Sequence, residues 1–141
     1  MYCTTDDIIS AVAESKITKY TDDAGEGLPD VDVMEKAIAS ATAMIESYIS
    51  GRYGSGLDPV PDLIRTLAVD ISIYKIASRT GDAPETFRDA YLDALGLLKR
   101  ISDGKADIPG VAVTDDTAAA VTSAAVVTRP GVYTKDGLEG Y

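Results

Sequence analysis

The 141-residue chain has no histidine, no tryptophan, one phenylalanine (Phe87) and one cysteine (Cys3). Without histidine there is no Ser-His-Asp or Cys-His catalytic arrangement and no imidazole-ligated metal. A single cysteine allows neither an internal disulfide nor a thiolate zinc site. Cys3 also lacks a basic sequence neighbour that would favour its thiolate. No apolar run approaches the roughly 20 residues of a membrane-spanning helix. Met1-Tyr2-Cys3 leads straight into Asp6-Asp7, without the apolar stretch of a secretion signal. A soluble protein made in a cytoplasm is expected. Gly51, Gly54 and Gly56 have no following Gly-Lys-Ser/Thr, so they do not make a phosphate-binding loop. The acids at 22–26 lack the alternating ligand order and distal glutamate of a calcium-binding EF-hand. The sequence therefore assigns no catalytic, cofactor-binding or metal residue, and no enzyme is expected.

Acidic residues are abundant: 23 Asp and Glu against 13 Lys and Arg, a net charge of −10. That balance repels a phosphate backbone and argues against sequence-specific nucleic-acid binding. The acids are dispersed. Asp6, Asp7, Asp32, Glu35, Asp62, Asp82 and Glu85 stand at expected helix starts, where a carboxylate caps free amides and complements the helix dipole. Apolar residues make up 45% of the chain and aromatics 6%. One modest core built from Ile, Leu, Val, Ala and Tyr is expected.

Hydrophobic periodicity predicts four helices. Thr4 or Thr5 caps the first, over 5–15, with Ile8, Ile9 and Val12 on its apolar face. Residues 16–31 read as a connection pinned by Ile17 and Tyr20. The main helix spans 33–50, capped by Asp32 with Glu35 completing a capping box and stopped by Gly51. Its stripe is Met34, Ile38, Ala41, Ile45 and Tyr48. Tyr53 is expected to pack the helix end, with Arg52 facing the last carbonyls. A third helix over 61–79 is apolar nearly all round, with Leu63, Ile64, Leu67, Ala68, Ile71 and Tyr74 on one side and Val69, Ile73 and Ile76 on the other. Such a helix is either central in its domain or in contact with another subunit. Asp70 is expected at the edge of its main stripe. The fourth helix covers 83–102, capped by Asp82 and followed by Gly104. After Gly110 the periodicity disappears, and 111–127 is rich in Ala, Thr and Val with β-prone pieces. The expected fold is mainly α: a small antiparallel bundle of about four helices over 1–109, with an extended, partly β-prone C-terminal arm over 110–141.

Several of these residues also carry a family resemblance. The start Met1-Tyr2-Cys3-Thr4-Thr5-Asp6-Asp7-Ile8-Ile9, the Thr21-Asp22-Asp23 motif, and Ala37-Ile38-Ala39-Ser40-Ala41 through Ile45…Tyr48-Ile49…Gly51-Arg52-Tyr53 resemble the small Mu-like phage and prophage proteins of the head-to-tail connector. So do Pro61…Leu63-Ile64-Arg65, Ala68…Asp70-Ile71…Tyr74, Tyr91…Ala94-Leu95…Leu98, and the tail pattern of Arg129 followed by Tyr133-Thr134-Lys135-Asp136. The resemblance implies a helical virion protein that joins its copies, as a ring, between portal and tail. It implies partners in the portal, in tail-completion proteins and in further copies of itself, with no cofactor and no membrane. DNA would meet it only as a passive channel, and its place would be the bacterial cytoplasm during assembly and then the virion neck. Val69, Ile73, Ile76, Arg129, Tyr133 and Leu138 are the candidate subunit contacts. An acidic regulatory module, or an inhibitor that mimics DNA, is the alternative that the charge supports.

Overall fold

Five helices follow one another in the computed structural model, which describes residues 1–114. They are α1 (Thr5–Ala11), α2 (Glu14–Thr21), α3 (Val31–Tyr53), α4 (Asp62–Ser78) and α5 (Glu85–Ser102). Residues Met1–Val111 form one compact unit. Among the described residues there is no strand, so the mainly helical class holds. Of the β-prone pieces expected after Gly110, 111–113 is not a strand, and 125–128 lies outside the described residues.

Local chemistry explains most boundaries. Thr4 caps α1: its hydroxyl accepts from Asp7 N at 3.1 Å, and Asp7 Oδ2 accepts from Thr4 N at 2.9 Å. This is the reciprocal pair that satisfies two otherwise free amides. Asp30, not Asp32, caps α3, accepting from Val33 N at 3.3 Å, so the helix begins two residues earlier than expected. Gly51 does not stop α3. The helix continues to Tyr53 and ends at Gly54, whose φ of +76° a side chain would strain. Asp82 does not cap α5, which starts after Pro84 in extended backbone. Gly104, at φ +81°, turns the chain just after α5 as expected. The dipole reading of the acids holds at Asp6, Asp7, Asp32, Asp62 and Glu85, all in first turns.

The main correction concerns 16–31. Its first half is helix: α1 stops at Ala11, and α2 occupies Glu14–Thr21. Ile17 and Tyr20 are buried as expected, but from a helix that packs on α4.

Direction follows from cross-helix contacts. Arg52, at the end of α3, reaches Ile101 at the end of α5, so these two run parallel. Tyr74 of α4 stacks on Tyr91 of α5 with centroids 4.4 Å apart, which sets the late half of α4 beside the early half of α5. Thus α4 is antiparallel to both neighbours. It also touches α1 and α2, and so lies at the centre. Ile64, Ala68, Ile71, Ser72, Ile76 and Ala77 are all 0% exposed. Isoleucine supplies ten of the twelve largest fully buried side chains, so stiff β-branched packing replaces the missing aromatic volume.

Replacing a core isoleucine of α4 removes atoms whose neighbours cannot close the gap. Ile76→Ala is expected to cost roughly 2–5 kcal/mol. Leu92→Ala, at a 48% exposed position, should stay within about 0.5 kcal/mol. Urea unfolding midpoints of the two variants test this.

Candidate interaction surfaces

Two arginines tie the body together at opposite ends. At one end, Arg52 Nη1 donates to the carbonyl oxygens of Ile101 at 2.6 Å and Ala106 at 3.0 Å, and its Nη2 reaches Asp107 Oδ1 at 3.0 Å. The Tyr53 hydroxyl donates to the same Asp107 oxygen at 3.3 Å and accepts from Ile108 N at 3.1 Å. The Arg52 guanidinium also lies 5.1 Å from the Tyr53 ring centroid, a cation–π contact. The last carbonyls that Arg52 faces therefore belong to α5 and the turn after it, not to its own helix. With Ile108 1% exposed, the stretch following α5 is fixed to the body. Asp107 and Ile108 carry no signal in a linear reading, because their partners lie about 55 positions away.

At the other end, Arg79 donates to Tyr20 O at 2.9 Å and to Asp23 Oδ2 at 2.6 Å. Thr21, fully buried, donates to Ile17 O at 2.9 Å and accepts from Asp30 N at 3.0 Å. Between them the Asp22 carboxylate accepts from Glu26 N at 2.8 Å and Gly27 N at 2.7 Å. Those backbone bonds hold its pKa below the usual carboxylate range. The loop carries the Thr-Asp-Asp motif, in which Asp22 bonds backbone amides and Asp23 pairs with Arg79. Among the described residues no group of three potential ligands could hold a metal ion.

Cys3 is buried with its Sγ 3.9 Å from Ser72 Oγ. Burial pushes its thiol pKa up, which makes it a core residue rather than a nucleophile. Asp70 is half-buried in an open groove between α1 and α4, lined also by Asp7, Ser10, Ala11, Arg65, Thr66 and Val69. Loss of water raises its pKa. A second groove, between α3 and α4, is lined by Val33, Lys36, Ala37, Ser40, Lys75 and Arg79. A third contains Asp22, Glu26, Leu28, Val31 and Asp32, with Leu28 62% and Val31 52% exposed.

The candidate subunit contacts fall in two groups. Val69, Ile73 and Ile76 are buried within the body, at 8%, 6% and 0% exposure. The surplus apolar surface expected on that side of α4 does not exist, because α1 and α2 pack on α4. Arg129, Tyr133 and Leu138 lie outside the described residues.

Residues 2–128 match the family described as Bacteriophage Mu, Gp36. The chain belongs to that family. Gene product J of Escherichia phage Mu is 28% identical to this Gp36-family chain over 111 residues, covering 78% of the chain and 77% of the relative. The family match takes in every helix and the Arg52–Tyr53 clamp, and it stops one residue short of Arg129.

Two expectations follow for the Gp36-family fold. Arg52→Ala removes the donor of the Ala106 carbonyl and one of the two at Ile101, which keeps its bond from Gly104 N, and should cost about 1.5–3 kcal/mol, with faster amide exchange at Ile108. Asp107→Asn, at a side chain 75% exposed, should cost less than about 1 kcal/mol. Asp70 titrates the other way from a paired acid. Its folded pKa is raised, so the native state holds the proton more tightly than the unfolded chain, and the charged form destabilises at neutral pH. Asp70→Asn should therefore raise the urea midpoint at pH 7. That gain should fade as pH falls through the raised pKa towards the unfolded value of about 3.9.

Proposed function

We propose that this chain is a structural protein of a Mu-like tailed phage or prophage that joins the portal of the head to the tail. It would act as a ring of identical copies in the virion neck and catalyse no reaction. The observation that carries this reading is the span of the family match, residues 2–128. It contains the Tyr48…Gly51-Arg52-Tyr53 signature on which the resemblance to connector proteins rests.

The physical features support the same reading. The one cysteine is buried, and the acids that share a groove, Asp7 with Asp70 and Asp22 with Glu26, Asp30 and Asp32, line open ones. What the described residues offer is a closed helical body with its post-α5 segment held by Arg52 and Tyr53. That arrangement suits a subunit that meets others through its outer surface and its C-terminal stretch. An acidic lumen would let DNA pass without holding it by its phosphates. The DNA-mimic alternative needs acids arrayed on one face. Here Asp7, Asp22, Asp23, Asp30, Glu46 and Asp107 are engaged with nearby amides or arginines.

The test is assembly on the portal of the same phage. Sedimentation and negative-stain images of the full chain with that portal should show a multi-subunit ring at one end of the portal. A monomer that ignores the portal but competes with DNA for a basic protein would favour the mimic instead.

A further inference from the structure

The chain carries 23 acids against 13 bases, and the α3/α4 groove departs from that balance. Its volume is about 380 Å³, and no acid lines it. The grooves around Leu28, Ile38 and Asp70 each contain at least one carboxylate. Arg79 at one edge is already engaged by Asp23 and Tyr20. Lys36 and Lys75 have no carboxylate partner among the described residues, even though Asp32 lies one turn from Lys36. Lys75 is half-buried, its stem covered along the groove while its ammonium has no carboxylate beside it. Between the lysines the groove offers Val33 and Ala37 as an apolar floor.

The complement of that surface lies on α5. Glu85, Asp89 and Asp93 succeed one another at every fourth residue and are exposed. That spacing sets the carboxylates about 6 Å apart along the helix. None is paired among the described residues. Leu92 stands beside them, one of four large apolar side chains that the body leaves exposed.

We propose that the α3/α4 groove is one half of a head-to-tail contact and that a second copy of this chain fills it with the Glu85, Asp89 and Asp93 face of its α5. Leu92 enters over Val33 and Ala37, and the carboxylates meet Lys36 and Lys75. The contact rests on the ring reading given above and specifies which surfaces make the ring. The groove and the stripe share no residue and lie on different helices. In a closed heterologous ring each copy uses its groove towards one neighbour and its stripe towards the next. Charge complementarity selects the partner: Lys36 and Lys75 are unpaired cations on a chain of net charge −10, so another copy is a source of matching carboxylates.

Charge reversal tests the pairing in the full-length chain. K36E/K75E and D89K/D93K should each weaken assembly at least tenfold by sedimentation, because like charges then face each other. Mixing the two variants should restore assembly in alternating order, since an acidic groove then meets a basic stripe and a basic groove an acidic one. Unchanged helical content and unfolding midpoint exclude misfolding. Lys36→Glu alone, at an exposed position, gives the same test without disturbing half-buried Lys75. Wild-type rings with variants that assemble as well as wild type would overturn the pairing and leave the ring standing. A wild-type chain that forms no ring, alone or on the portal, would overturn both. Variants that still self-assemble but no longer join the portal would give the groove to the portal and also overturn the proposal.

Discussion

Helix α4 has to be buried on nearly every side, and the other four helices are arranged to do it. Its 17 residues include Ile64, Leu67, Ala68, Val69, Ile71, Ile73, Ile76 and Ala77, spread around the whole circumference. At about 25 cal/mol per Å² of apolar surface removed from water, no partial covering suffices. Helices α3 and α5 cover part of it as antiparallel neighbours. Helices α1 and α2, too short to stand alone, cover more. The polar atoms caught in this packing are few and served: Ser72 by the Cys3 thiol and Thr21 by Ile17 and Asp30.

Apolar packing fixes what lies beside α4 but not how the chain ends are held. That depends on directed bonds, chiefly from Arg52 and Arg79. A guanidinium presents several donors in a fixed fork, so one side chain can gather carbonyls and a carboxylate from separate segments. Arg79 joins α4 to the end of α2 and to Asp23. Arg52 joins α3 to the end of α5 and to the segment around Asp107. The body covers its own central helix, fastens the segment after α5, and leaves charged and modestly apolar surface on α3, α4 and α5.

Much of this was legible in the sequence. The stripes of α3, α4 and α5 appear at three- and four-residue spacing, and Thr4 marks the start of α1 and Gly104 the end of α5 by type. The all-round apolarity of α4 announced a central helix or a subunit contact. Which of the two applied was not legible, because the answer lay in α2. That helix has only Ile17 and Tyr20 as buried large apolar residues, and its N-cap, Ala13, makes no side-chain bond. It is helical because α4 needs cover, a tertiary cause that no local pattern carries. The early start of α3 was hidden for a similar reason. Asp30 and Asp32 are equally good caps by type, and Asp30 is selected by the bond from its amide to buried Thr21. The Arg52 clamp and the Lys36–Lys75 groove join residues 39 to 55 positions apart, so they emerge only once the helices are packed.

A single chain completes the burial of α4. Amide hydrogen exchange of the full-length protein, measured across a wide range of protein concentration, addresses it most directly. The amides of Leu67, Ile71 and Ile76 should be among the most protected, exchange only through global unfolding, and keep the same protection at every concentration. Protection of α4 that collapses on dilution, while α3 and α5 stay protected, would mean that another copy supplies the missing cover and would contradict it.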